Sequence, residues 1–272
     1  MKKYIIIITI LIRFCQSLWA EVNIRKTADR FQSDLVQTLH LRKNLSGREE
    51  IAFCSAALLS GVMIGKYDPC LIDKLLYQDE KKFKNQILHY LSKRAYWYGN
   101  SADNVLYTWA ILSAGLAGTG VITDNPGHYK TLRLLTESFI ITSIYTGLAK
   151  VILGRERPNV KNSQGRFLFF ERATRHRSMP SGHTAAAFTF ATVLAENYDN
   201  LYIKIPAYTL AVCAGLERIE HHKHWMSDVI IGGLIGYYIG QTITMIHNQN
   251  ESQLKINSQQ QHSIALKLSI PF

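Results

Sequence analysis

Three short stretches of this chain carry basic and histidine side chains beside helix ends, where they can bind an anion. The first, KVILGRERP, contains Lys150 and Arg157. Their separation is about two helical turns, so a continuous helix would point both cations in the same direction. Two converging cations suit a phosphate group, because arginine supplies a planar fork of donors and lysine a point charge. The alternative is an interfacial helix end whose cations extend into water.

The second stretch, SMPSGHTAAA, predicts a helix that begins near His183. A Pro-Ser-Gly turn before a helix exposes backbone N–H groups, and the helix dipole adds partial positive charge at that end. Ser181 and Gly182 would therefore contribute to an anion site, with His183 at its mouth as a proton donor to a leaving oxygen. The alternative is that Ser181 only caps the helix.

The third stretch, ERIEHHKHWMSD, contains Arg218, His224 and Asp228. The i, i+4 spacing predicts that His224 and Asp228 share one helical face. A carboxylate there can hold the imidazole in one tautomer and leave its other nitrogen basic. Metal binding by His221, His222 and His224 is not favoured, because they are too closely spaced to share a helical face and no HExxH-like spacing occurs.

In their order and spacing, the three stretches resemble the signature of the type 2 phosphatidic acid phosphatase (PAP2) superfamily, which also includes bacterial class A acid phosphatases and vanadium haloperoxidases. The motifs lie within residues 150–228, and a similar helical layout extends over roughly residues 100–245. One position departs from the family pattern, because Glu217 stands where the family usually has serine. A carboxylate beside Arg218 can pair with that arginine and weaken its hold on phosphate.

This resemblance implies hydrolysis of phosphate monoesters or pyrophosphates through a phosphohistidine, without a metal ion or another cofactor. His224 would be the nucleophile, Asp228 its orienting carboxylate and His183 the general acid. The groups that would hold the phosphoryl oxygens are Lys150, Arg157, Ser181, Gly182 and Arg218. Three cations and a helix N-terminus can stabilise charge on a transferring phosphoryl group, so the physical argument agrees with the resemblance.

Long apolar runs without strand-like alternation must position these residues, and they predict an all-α fold. The runs cover residues 104–122, 132–153, 183–198, 205–219 and 228–246. The resemblance implies a PAP2-type helical bundle of about five to seven core helices. We expect four regions along the chain: a signal peptide (1–20), an N-terminal helical region (21–99), the phosphatase core (100–247), and a polar linker with a short extended tail (248–272).

The two chain ends have distinct patterns. Near the N-terminus, two lysines precede a short apolar run and Ala20 offers a cleavage point, which is typical of a signal peptide; an uncleaved anchor is the alternative. Near the C-terminus, Ile264, Leu266 and Leu268 alternate with other residues and predict a strand-like tail, either loose or paired with an envelope protein.

The charge balance restricts the partners. The formal net charge of +11 suits an anionic membrane surface or a phosphorylated substrate, and the lack of a long basic run argues against nucleic acid. Mean hydropathy is low for a polytopic membrane protein, at −0.03, yet runs 104–122 and 228–246 have spanning length. We expect membrane association in a bacterial envelope, in the inner membrane with the site facing the periplasm; a soluble periplasmic enzyme is the second choice.

Several functions remain open at this point. A membrane enzyme would act on a lipid phosphate or pyrophosphate, whereas a soluble enzyme would be a non-specific acid phosphatase for small phosphomonoesters. A vanadate-dependent haloperoxidase would use the same cationic site with His224 as the vanadate ligand. A non-catalytic phosphate-binding protein would result if Glu217 disabled the site, because a fold alone does not establish activity.

Overall fold

The computed structural model describes residues 24–39, 55–56, 60–61, 68, 114–115, 118–120, 122–123 and 125–268. Five α-helices have their bounds within these ranges: α1 (Ile24–Gln37), α2 (Pro126–Leu153), α3 (Gly182–Asn197), α4 (Leu201–Glu220) and α5 (Met226–Leu268). A 3-10 turn, Thr174–His176, lies in the connection between α2 and α3. Extended pairing within the described residues is limited to one isolated bridge, so the predicted all-α class is confirmed.

Polar caps and one glycine define the helix ends near the site. The Asn125 side chain accepts a hydrogen bond from the Gly127 N–H at the start of α2, and Asn200 does the same for α4. Gly154 ends α2 in the left-handed region with φ of 56°. A Cβ at this position would lie 1.7 Å from the Leu168 carbonyl oxygen, so the chain turns here in a way that only glycine permits.

Helix α3 packs against α5 with their backbones in contact. Gly232, Gly236 and Gly240 recur every four residues and therefore share one face of α5. A Cβ on Gly236 would lie 2.1 Å from the Ala185 carbonyl oxygen, and one on Gly232 would lie 2.5 Å from that of Ser181. Small residues at this spacing let two helices approach closely. The start of α3 is thereby fixed beside the start of α5.

The apolar core joins α2, α3 and α5. Its buried members are Leu134, Leu135, Ile141, Phe190, Val193, Tyr238, Ile239 and Ile243. Phe31 and Leu35 of α1 pack against this core. Burying a side chain of this size contributes about 1.5–3 kcal/mol. Alanines on α3 and α4 form a second contact, which lets those two helices lie close together.

The predicted helical runs 132–153, 205–219 and 228–246 fall in helices, and run 183–198 does so up to Asn197, but the prediction for the C-terminal region is wrong. Instead of a polar linker and an extended tail from residue 248, α5 continues to Leu268. The sequence contains neither glycine nor proline from residue 241 to residue 270, so nothing interrupts the helix. Residues 255–260 are exposed, which fits their mostly polar composition.

Other predictions fall outside the described residues. These are the signal peptide over 1–20, the last four residues of the tail, and most of the run 104–122 and of the region 21–99. The division of the chain into regions therefore stays a prediction.

Two helices among the described residues are long and apolar enough to cross a membrane, over Gly127–Leu153 and Met226–Gln260. Helices of this kind also form the cores of soluble proteins. In α2, the exposed apolar side chains of Ile140, Ile144, Leu148 and Ile152 follow one another at four-residue intervals. They form a continuous apolar stripe on the outer side of that helix.

Candidate active site

The predicted site residues lie where the ends of α2 and α4 meet the starts of α3 and α5. Lys150 is in the last turn of α2, and its Nζ would lie 3.5 Å from a Cβ placed on Gly182, the first residue of α3. Arg218 is in the last turn of α4. The Ser181 N–H donates to the Asp228 carbonyl oxygen at 2.9 Å, which ties the start of α3 to the first turn of α5.

Two predicted helical relationships are wrong, although the residues still converge. Because α2 ends at Gly154, Arg157 lies in the following loop, where its N–H donates to the Arg175 carbonyl oxygen at 2.9 Å. His224 lies in the turn before α5 rather than on a helical face with Asp228, and its N–H donates to the Arg218 carbonyl oxygen at 3.2 Å. Turns, rather than helix periodicity, bring these side chains together.

His183, the second residue of α3, lies among the other predicted site residues. The pKa of His183 is lowered to about 2, chiefly by burial and then by the neighbouring Arg218, His224, Lys150 and Arg157. All four of these groups therefore lie near the His183 imidazole. Without a bound anion, His183 is neutral at physiological pH.

His224 and Asp228 are buried beside each other, with 2% and 0% of their surfaces exposed. The Nδ1 atom of His224 lies 3.6 Å from Oδ2 of Asp228, which is longer than a formed hydrogen bond. The pKa of His224 is lowered to about 4, because burial, with smaller contributions from Lys150 and Arg157, outweighs the opposite effect of Asp228. His224 is therefore neutral near pH 7, and a proton on Nδ1 facing Asp228 leaves Nε2 with its lone pair.

Ser181 caps α3, as the alternative interpretation of this residue predicted. Its Oγ accepts from the Thr184 N–H at 3.4 Å and from the Thr184 hydroxyl at 2.9 Å. Both bonds use Ser181 as an acceptor, so its own O–H group is still a donor. Gly182 is in the first turn of α3, where N–H groups have no partner within the helix. Phosphate binding by Ser181 and Gly182 stays a prediction.

Glu217 pairs with Arg218, as its position in the sequence suggested. One Glu217 carboxylate oxygen accepts from Nε of Arg218, and the other lies 3.3 Å from Nδ1 of His221. Glu217 is 2% exposed, so its charge acts on Arg218 with little screening by water. The carboxylate holds one edge of the guanidinium group, and its effect on phosphate affinity stays a prediction.

The sequence did not reveal a second layer of polar residues behind His224. Arg155 is 1% exposed and donates from Nη1 to Oδ1 of Asp228 at 2.6 Å. From Nη2 it donates to Oδ2 of Asp68 at 2.8 Å. The Ser178 hydroxyl donates to Oδ2 of Asp228. Arg155 is visible in GRERP two residues before Arg157, but no spacing rule points to Asp68, which precedes Arg155 by 87 positions.

A separate group of ligand-type side chains, Asp34, Glu137 and His247, lies away from this site. Nη2 of Arg133 lies 2.9 Å from Nδ1 of His247, and because arginine can only donate, Nδ1 accepts and Nε2 carries the proton. Nε2 then faces Glu137 at 2.9 Å and Asp34 at 3.3 Å. A metal ion would need the Nε2 lone pair, so we interpret these four residues, here called the α1 network, as an ion network that holds α1.

Parts of this chain are similar in sequence to known proteins. Residues 131–252 match the family model of the PAP2 superfamily. The lipid A 1-phosphatase of Porphyromonas gingivalis is 39% identical over 70 residues, which cover 25% of this chain and 16% of that protein. Lipid phosphate phosphatase 1 of Arabidopsis thaliana is 30% identical over 142 residues, with 40% of this chain and 42% of that protein covered. This chain thus spans less than half the length of either relative.

Two solved structures are similar to part of this chain. The crystal structure of Aquifex aeolicus LpxE has a TM-score of 0.46 and 23% sequence identity, with 65% of this chain and 94% of that chain covered. The first transmembrane PAP2-type phosphatidylglycerolphosphate phosphatase from Bacillus subtilis has a TM-score of 0.38 and 15% identity, with 80% of this chain and 96% of that chain covered.

Proposed function

We propose, on the premise that this chain belongs to the PAP2 superfamily, that it is a PAP2-type phosphatase acting on phosphate monoesters of lipids. The observation that carries the proposal is the cluster around His183, in which Lys150, Arg157, Arg218 and the neutral His224 all lie close enough to act on its imidazole. A site with three cations and two imidazoles suits a phosphoryl group that is transferred to nitrogen. The names of two relatives, a lipid A 1-phosphatase and a lipid phosphate phosphatase, support the substrate class.

The proposed first step is attack by Nε2 of His224 on the phosphorus atom. A P–N bond forms while the ester P–O bond breaks, and the leaving oxygen takes a proton from His183. Asp228 stabilises the positive charge that develops on the His224 ring, because its carboxylate lies 3.6 Å from Nδ1. Lys150, Arg157 and Arg218 hold the negative phosphoryl oxygens. Because these cations are already in place, stabilising the transition state costs no reorganisation of the site.

His183 needs a proton for this step, yet its pKa is about 2 without a bound anion. Burial is the main cause of this low pKa, and a phosphate dianion would offset the second cause, the positive charge of Arg218, Lys150 and Arg157. The substrate therefore makes His183 a stronger base in the complex, and the proton is available there for the leaving group. In the second step, water attacks phosphorus, the P–N bond breaks, and His183 takes the proton of the water. Inorganic phosphate then leaves.

The proposed location is a membrane, with the site at one end of the spanning helices. The two candidate spans and the exposed apolar stripe on α2 support it. Lys150 and Asp228 lie within one helical turn of the ends of those spans, where a lipid phosphate would be found. The periplasmic orientation rests on the leader-like pattern of residues 1–20, and reporter fusions placed after Arg175 would test it.

Phosphate release by the purified protein in detergent tests this proposal. Phosphatidic acid and p-nitrophenyl phosphate would be compared with EDTA present, and the His224→Ala variant would be assayed beside the wild type. We expect faster release from the lipid, and loss of release in the variant. Preference for the small ester would favour a soluble acid phosphatase, and undiminished release by His224→Ala would contradict the assignment of the nucleophile.

A further inference from the structure

Three buried charges lie in a row behind the proposed nucleophile. Arg155 is placed between Asp68 and Asp228, with N–O distances of 2.8 Å and 2.6 Å, and all three side chains are at most 1% exposed. The Arg155 guanidinium also lies over the rings of Phe167 and Trp225, at 5.2 Å and 5.4 Å from their centroids. The packing therefore holds the arginine in one orientation toward both carboxylates.

The charge of this row explains why a second carboxylate is present. With Asp228 and Arg155 alone, the two opposite charges would cancel, and His224 would face a nearly neutral pair. Asp68 returns the sum to one negative charge, so the Asp228 carboxylate can stabilise a positive His224 ring. A neutral pair of Arg155 and Asp228 would stabilise little of the positive charge that develops on the His224 ring during the reaction.

Hydrogen bonds hold the Asp228 carboxylate in place. Oδ1 accepts from Arg155, while Oδ2 accepts from the Ser178 hydroxyl and from the Trp225 N–H at 2.9 Å. Asp68 in turn accepts from both the N–H and the hydroxyl of Ser227, the residue before Asp228. The carboxylate that faces His224 is thereby held from several sides, as a precise catalytic geometry requires.

We propose that Asp68 and Arg155 are positioning residues of the phosphatase. The negative charge of Asp68 offsets the positive charge of Arg155, so that the negative charge of Asp228 can act on His224. This inference rests on the proposed function. Asp68 lies outside residues 131–252, the part of the chain that matches the family model, so the match assigns it no role.

The test is a double-variant cycle of Asp68→Asn and Arg155→Met. The first variant leaves the row neutral, and the second leaves two uncompensated carboxylates. Both substitutions together restore a single negative charge on Asp228, and methionine still fills the space between the two aromatic rings. Replacing a whole buried ion pair is commonly better tolerated than removing one partner. Asp199→Asn is the matched control, because it removes an exposed aspartate that pairs with Lys204 at 2.7 Å.

We expect Asp68→Asn to lower kcat by roughly 10- to 100-fold, the range of a lost orienting partner, while KM changes less than about twofold. The double variant should recover at least about tenfold in kcat over Asp68→Asn. If the effects of the two substitutions multiply, or if Asp68→Asn acts through KM alone, the proposal is wrong. Should Asp68→Asn fail to fold, the same comparison is made between the double variant and Arg155→Met.

A second readout does not depend on turnover. The His224 imidazole is titrated by NMR in the wild type and in each variant, with Lys150, Arg157, His183 and Asp228 unchanged around it. Loss of the Asp68 charge should lower the His224 pKa, and the double variant should restore it. An unchanged His224 pKa would overturn the proposal. A wild type that releases no phosphate would contradict the proposed function instead, and the titration would still decide the role of Asp68.

Discussion

Replacing Gly236 by alanine tests whether the α3–α5 contact positions the active site. An added Cβ would lie 2.1 Å from the Ala185 carbonyl oxygen and 2.9 Å from the Thr189 nitrogen, both backbone atoms that cannot rotate away. Ordinary contacts begin at 3.4 Å, so the helices must separate by roughly 1 Å, and a misplacement of this size can cost about 100-fold in rate. Overpacking of this kind also costs about 1–3 kcal/mol of stability.

Gly147→Ala in α2 is the matched control, because no described atom lies within 4 Å of its added Cβ. This second substitution should leave activity unchanged and raise stability by up to about 1 kcal/mol, the difference in helix propensity between glycine and alanine. Thermal unfolding and phosphate release would be measured for both variants. Wild-type activity and stability in Gly236→Ala would refute the reasoning that α3 and α5 are held by backbone contact.

Three further predictions follow from single residues. Glu217→Ser should lower KM about tenfold, because Arg218 loses a carboxylate that competes with phosphate for its donors. A charge-assisted hydrogen bond from Arg218 to phosphate is then worth at least about 1.4 kcal/mol. An unchanged or higher KM in steady-state kinetics would contradict this. The plot of kcat/KM against pH should fall below about pH 4, where His224 gains a proton, and activity that persists unchanged well below pH 4 would contradict this pKa. Between pH 6.5 and pH 4 the unfolded state binds this proton and the folded state does not, so the free energy of unfolding should decrease as the pH falls through that range. His247→Ala should destabilise the protein by about 3 kcal/mol by leaving the carboxylates of the α1 network without their shared donor, with kcat unaffected; equal unfolding temperatures for variant and wild type would refute it.

The sequence predicted which residues converge better than it predicted the geometry that brings them together. Lys150, His183 and Arg218 were identified from residue type and spacing, and the structure places them together. The helical explanation failed for Arg157 and His224, because Gly154 ends α2 early and α5 begins only at Met226. The spacing of these residues in the sequence therefore indicated that their side chains converge, but turns rather than helices bring them together.

The parts that were missed depend on long-range packing. The pair formed by Asp68 and Arg155 joins residues far apart in the chain, and only the fold reveals it. The helical course of residues 248–268 was missed for a different reason. Polar composition indicated exposure, which is correct for residues 255–260, but exposure does not exclude a helix that continues from an apolar segment.

Trapping of the phosphorylated enzyme tests the central claim most directly. The purified protein would be mixed with a lipid phosphate, quenched in alkali within milliseconds, digested, and examined by mass spectrometry for a phosphoryl group on the peptide that contains His224. The account predicts an acid-labile, alkali-stable adduct on His224 that disappears in His224→Ala together with turnover. A phosphoryl group on another residue, or turnover that continues in His224→Ala, would contradict it.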